Sequence, residues 1–191
     1  MNIPELLQAQ KNFFANQQTK DISFRKNALK KLQKELIKRE NDIIKALHND
    51  FKKSEYEAVM TETSIVLAEL KMVIKNIHAW AKPKRVLPSL LNFPSTAKIH
   101  KEPYGNTLII APWNYPYQLA FAPLLGAIAA GNTVILKPSE LTPHTSKITR
   151  EIVATVFDKN HVSVIEGGVS VSQELLAQRW DYIFFTGSVP V

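Results

Sequence analysis

The sequence predicts an α/β fold, N-terminal helices followed by a parallel βαβ sheet, on three observations. Apolar residues in the first eighty positions recur three, four or seven apart, as on helix faces. From Ala97 onward that spacing gives way to short β-branched and aromatic runs. Four of these runs begin 26, 29 and 20 residues apart, which leaves room for a crossover helix between each pair.

Leu6, Leu7, Gln10, Phe13 and Phe14 make a first short amphipathic helix. Leu29, Leu32, Leu36, Ile43 and Leu47 define one longer helix, with Lys31, Glu35, Arg39, Lys38 and Asp42 spaced to pair along its outer face. Ser54-Glu55-Tyr56-Glu57 fits a capping box and opens a third helix through Val59, Ile65, Val66, Leu70, Val73 and Ile77 toward Trp80. Pro83 and Pro88 end it. Ala97 to Glu102 reads as an edge strand, and Thr107–Ala111, Thr133–Lys137, Val162–Ile165 and Tyr182–Thr186 as the sheet. The organisation is then a helical part over 1–82, a linker and edge strand over 83–102, and a sheet segment over 103–191.

Charge follows the same division. The net charge is +7, with nineteen basic and eleven acidic residues in 1–102 but five and six in 103–191. Acids interleave with Lys30, Lys31, Lys34 and Lys38, and aromatics do not, so a solvated helix face fits better than a nucleic-acid surface. No charge lies between Glu102 and Lys137, yet Pro112, Pro116 and Pro123 interrupt the gap, and its longest apolar run, Leu119 to Ala130, is too short to span a bilayer. With no cysteine and no secretory leader in view, the cytoplasm is the expected location.

Common signatures are missing. The glycines at 105, 126, 131, 167, 168 and 187 form no G-x-G-x-x-G, and Gly126–Thr133 has Asn132 where a P-loop needs lysine. Gly131 reads instead as a left-handed helix end. The histidines at 48, 78, 100, 144 and 161 have no metal-ligand spacing, and no metal site is expected.

In open parallel sheets ligands sit beyond the carboxyl ends of the strands, so the residues after each run are the candidates. Asn114 lies in a segment stiffened by Pro112 and Pro116, either as an amide aimed at a developing oxyanion or as a turn residue. Lys137 and Glu140 suit the two hydroxyls of a ribose, or a surface ion pair. Gly187 lets backbone approach a phosphate, and a helix after Ser188 would offer free N–H groups.

Taken in order, Pro103-Tyr104-Gly105, Ile110–Pro116, Pro123–Thr133, Leu136–Glu140 with Thr142-Pro143, and Phe184–Ser188 resemble the aldehyde dehydrogenase superfamily across almost the whole chain. The Trp113-Asn114-Tyr115-Pro116 form is most similar to the class 3 branch, which includes fatty and aromatic aldehyde dehydrogenases. The resemblance implies a Rossmann-like sheet with NAD or NADP as cofactor. It also implies an aldehyde substrate and a homodimer at full length. In such enzymes a cysteine thiolate attacks the aldehyde, an asparagine amide helps hold the oxyanion, hydride leaves to the nicotinamide, and a glutamate-activated water hydrolyses the thioester.

By motif position Asn114 is the implied oxyanion donor. Ile110, Ala111, Pro112 and Trp113 flank the nicotinamide half, Lys137 and Glu140 meet the adenosine ribose, Ser139 between them also counts as cofactor-binding, and Gly187 and Ser188 approach the pyrophosphate. NAD and NADP both stay open, since Glu140 would repel a 2′-phosphate and Lys137 attract one. The nucleophilic cysteine and general-base glutamate fall beyond Val191, so the resemblance implies a chain cut before the catalytic domain and inactive alone. The alternative is a non-catalytic dinucleotide-binding module of 21.6 kDa.

Overall fold

The structure is a computed structural model that describes residues 2–188. Helix α1 (Ile3–Ala15) is capped by Asn2, whose side chain accepts from the Glu5 N–H. The stripe read as one longer helix is two, α2 (Ile22–Lys38) and α3 (Glu40–Phe51). The break falls at Arg39, where φ −99° and ψ 12° leave the helical region. Neither glycine nor proline makes it; instead the Arg39 guanidinium is held by Asp42 at 2.5 Å and by Glu151 at 3.0 Å. Leu36 and Ile43 keep their spacing of seven across the bend, and both stay buried.

Helix α4 (Glu55–Ala58) starts on Ser54, whose hydroxyl accepts from the Glu57 N–H at 3.2 Å, the forward half of the predicted capping box. It runs through a π-helical turn, Val59–Thr63, into α5 (Ser64–Ala81). Strands β1 (Lys84–Val86) and β2 (Ala97–Ile99) pair antiparallel as a separate two-stranded ribbon. The strand expected near Ala97 therefore forms, but it does not line the main sheet. Its partner is a three-residue run between Pro83 and Pro88, too short to show an alternation.

The main sheet is built from β3 (Asn106–Ile110), β4 (Thr133–Lys137), β5 (Val162–Val164) and β6 (Tyr182–Phe185). All pairings are parallel, in the order β5-β4-β3-β6. Its crossovers carry α6 (Gln118–Ala130), α7 (Pro143–Val156) and α8 (Val169–Leu176). Gly131 ends α6 at φ 98°, a left-handed turn with the Arg25 guanidinium where a side chain would go.

Both faces of the inner strands β3 and β4 are covered, which explains why they lack polar alternation, while β6 is exposed. Ile109, Val134 and Leu136 pack into one cluster with Leu29 and Leu36 of α2, Leu70 of α5, Phe121 of α6 and Ile152 of α7. Leu108, Ile110 and Ile135 point the other way, onto Ile3 and Leu6 of α1 and Leu175 of α8. The uncharged stretch after Glu102 is thus β3 and α6 in a core, and no helix among the described residues is long and apolar enough to cross a membrane.

Candidate active site

Because the four strands are parallel, their carboxyl ends share one edge of the sheet. Ile110 is the register partner of Lys137 on β4 and of Phe185 on β6. Beyond the strands the Ala111 N–H donates to the Lys137 carbonyl at 3.0 Å and the Thr186 N–H to the Ile110 carbonyl at 3.2 Å. Three of the segments singled out from the sequence therefore stand side by side. Ile110–Asn114 are in the middle, Lys137–Glu140 on one flank and Gly187–Ser188 on the other.

After Ala111 the chain leaves the core. Pro112 is half-buried, Trp113, Asn114 and Tyr115 are exposed, and Pro116 and Tyr117 return to the interior at the start of α6. This geometry follows from composition, since the prolines deny the segment a helical hydrogen-bond pattern while α6 demands entry into an apolar layer. The Asn114 amide is left at the surface on a loop fixed at both ends. Trp113 stacks on Phe51 of α3 with ring centroids 6.5 Å apart.

Lys137 is buried, and its ammonium donates to Glu140 at 2.6 Å. The Glu140 side chain keeps 40% of its surface exposed. That hydrogen bond holds the Glu140 carboxyl below the usual carboxylate range. Ser139 lies between them. Its hydroxyl accepts from the Leu141 N–H at 3.2 Å and its carbonyl from the Ser146 hydroxyl at 2.7 Å, so it shapes the turn into α7. Gly187 and Ser188 are exposed past β6. The helix expected after them lies outside the described residues.

The reading from sequence missed two charged residues that support this edge. Glu62, fully buried, pairs with Lys53, itself 7% exposed. The other carboxylate oxygen accepts from the backbone N–H groups of Tyr117 at 2.9 Å and Gln118 at 3.2 Å. The Lys53 ammonium lies 3.5 Å from the Asn114 carbonyl and 4.5 Å from the centre of the Tyr115 ring. A trace was present in the pattern. Ala58, Glu62, Val66 and Leu70 follow at steps of four, so an acid stands in the middle of a buried apolar stripe.

The donors present fit a dinucleotide. A buried cation hydrogen-bonded to a half-exposed carboxylate offers both a donor and an acceptor to a vicinal diol, and exposed backbone at Gly187 offers close approach to a phosphate. No group of three or more His, Cys, Asp or Glu suited to a metal occurs among the described residues.

The sequence and the fold are shared with known proteins. The chain is 52% identical over 178 residues to the 4,4'-diaponeurosporen-aldehyde dehydrogenase of Staphylococcus aureus, a match that covers 93% of this chain and 39% of that protein. It is 42% identical over 184 residues to aldehyde dehydrogenase family 3 member B3 of Mus musculus, covering 96% and 38%. The substrate-bound structure of S. aureus AldH superposes with a TM-score of 0.96 at 51% identity, over 98% of this chain and 41% of that one. The Mycobacterium tuberculosis aldehyde dehydrogenase complexed with NAD+ shares the fold, with a TM-score of 0.83 at 23% identity over 95% and 38%. The chain thus spans about two fifths of the length of the curated relatives it matches. The model of the Aldehyde dehydrogenase family matches residues 2–191, and this chain belongs to that family.

Proposed function

We propose that the chain is the cofactor-binding part of an NAD(P)-dependent enzyme that oxidises an aldehyde to a carboxylic acid, with Asn114 as oxyanion donor. One observation carries the reading. Exposed Asn114 lies on the loop that leaves β3, and Lys137, which ends the neighbouring strand in register with Ile110, pairs with Glu140 just beyond it. A substrate carbonyl at Asn114 and a ribose at Lys137 and Glu140 would lie along one sheet edge.

The bound nicotinamide supplies the hydride acceptor. Lys137 donates to one ribose hydroxyl and Glu140 accepts from the other, while the backbone at Gly187 and Ser188 meets the pyrophosphate. Ile110, Ala111, Pro112 and Trp113 form the wall beside the nicotinamide half and keep water from it. Asn114 donates its amide N–H to the oxygen that gains charge when the carbonyl is attacked, a contact that strengthens only as charge develops. Ser139 acts at one remove by holding the turn that presents Glu140.

The 191 residues contain no cysteine, so the attacking thiolate, like the base that activates water for thioester hydrolysis, belongs to the remainder of a longer enzyme. Exposed Trp113 and Tyr115 on either side of Asn114 suit an apolar aldehyde, fatty or aromatic. The longer protein on this reading is a cytoplasmic homodimer.

Replacing Asn114 with Ala in that enzyme tests the assignment. Turnover is expected to fall about 10²-fold, with nucleotide affinity held within about twofold. Unchanged kcat, with a primary isotope effect from deuterated aldehyde showing that chemistry limits the rate, refutes it.

A further inference from the structure

We propose that Lys53 and Glu62 are positioning residues for Asn114, a buried ion pair that sets the loop carrying the oxyanion-binding amide. The inference rests on the role given to Asn114 above.

A charge pair taken out of water is retained at a cost unless its remaining hydrogen-bonding capacity is used. Here its partners lie on a single loop. One Glu62 oxygen takes Lys53; the other takes the Tyr117 and Gln118 N–H groups at 2.9 and 3.2 Å. Those are orphan donors at the start of α6, which has no side-chain cap of its own at Tyr117. A carboxylate there also meets the positive end of the helix dipole.

Lys53 reaches the other half of the loop. Its ammonium points at the Asn114 carbonyl, 3.5 Å away, and lies over the Tyr115 ring at 4.5 Å. The pair therefore pins the loop on both sides of Pro116. Glu62 itself projects from the π-helical turn, Val59–Thr63, a feature frequent at functional sites. A hydrophobic residue between Ala58 and Val66 would pack the helix at lower cost but could not hold these N–H groups.

The test uses the longer dehydrogenase with Lys53→Met, Glu62→Gln, Asn114→Ala, and each of the first two combined with Asn114→Ala. Either single change at the pair is expected to lower kcat about tenfold or more, with nucleotide Kd held within about twofold. In the Asn114→Ala background the same changes are expected to cost less than about twofold, because the amide they position is gone. Hydrogen exchange of the peptide over 112–121 should accelerate while exchange elsewhere holds.

An equal loss of kcat in both backgrounds, or exchange that accelerates throughout the protein, overturns the proposal. So does an unchanged kcat in Glu62→Gln, a near-isosteric variant that decides the matter if Lys53→Met does not fold. If Asn114→Ala alone leaves turnover intact, the oxyanion role fails instead. The exchange data then still report whether the pair holds the loop.

Discussion

His161, where the chain enters β5, gives the structure a measurable dependence on pH. Its ring is 3% exposed and clasped by Phe13, Phe24 and Phe157, with centroids 5.8, 5.2 and 5.6 Å away. Nε2 has no hydrogen-bond partner. Burial pushes the imidazole from 6.5 down to about 4, against a smaller opposing pull from Asp158. Lys30, Lys31 and Lys34 line the same cavity of about 680 Å³ and give a proton on the ring no help.

Between pH 6.5 and 4 the unfolded chain therefore binds a proton that the native chain refuses, so native stability falls as pH falls. At about 1.4 kcal/mol per pH unit the loss approaches 2 kcal/mol at pH 5 and about 3 kcal/mol at pH 4. His161→Phe keeps an aromatic ring among aromatic rings and removes the titration. Urea unfolding followed by circular dichroism, at pH 7.5 and pH 5 in both proteins, isolates the term, because carboxylates contribute equally to each. The variant should lose about 2 kcal/mol less than the parent over that interval. It should also gain about 1 kcal/mol at pH 7.5, where a buried unpartnered nitrogen has been removed. Parallel pH dependences in the two proteins would refute the argument.

Three further outcomes can be checked directly. Lys137 is buried and already paired, so an incoming 2′-phosphate meets the exposed Glu140 carboxylate; Glu140→Gln in the longer enzyme should raise the NADP-to-NAD ratio of kcat/KM about tenfold, about 1.4 kcal/mol, read by initial rates. Asp50 of α3 caps α7 by accepting from the His144 and Thr145 N–H groups at 3.1 and 2.8 Å. Asp50→Ala should cost about 1–2 kcal/mol in urea unfolding and Asp50→Asn less. The 191 residues expressed alone should show no aldehyde-dependent reduction of NAD at 340 nm, since they carry no thiol nucleophile; measurable turnover would contradict the proposed function.

The sheet was legible because its determinants are local. β3, β4, β5 and β6 fall within a residue or two of the apolar runs, and the spacing between runs leaves room for a crossover helix between each pair. The carboxyl-end rule then picked out Asn114, Lys137 and Glu140 as candidates, and the structure sets them along one sheet edge. What escaped was tertiary. Arg39, at the bend between α2 and α3, pairs with Glu151, far along the chain on α7, while the helical stripe passes through the bend undisturbed. The β1–β2 ribbon joins two exposed three-residue segments whose register nothing in either segment specifies.

Glu62 shows why the support of a site is harder to read than the site. A ligand-facing residue must be exposed at a place the topology defines, so a parallel sheet announces its own binding edge. A residue that holds such a loop must be buried, and in a sequence it stands among apolar neighbours as an apparent violation of their pattern. Read by hydropathy alone, Glu62 weakens the case for a core helix at Val59–Leu70. Read by hydrogen-bond accounting it does the opposite, because α6 begins at the buried Tyr117 with free N–H groups and no capping side chain of its own. An acid on a neighbouring helix is one of few ways to satisfy them, and an acid so placed needs a cation, which Lys53 provides. The break in the stripe and the uncapped helix are thus two halves of one requirement, and the loop between them carries Asn114.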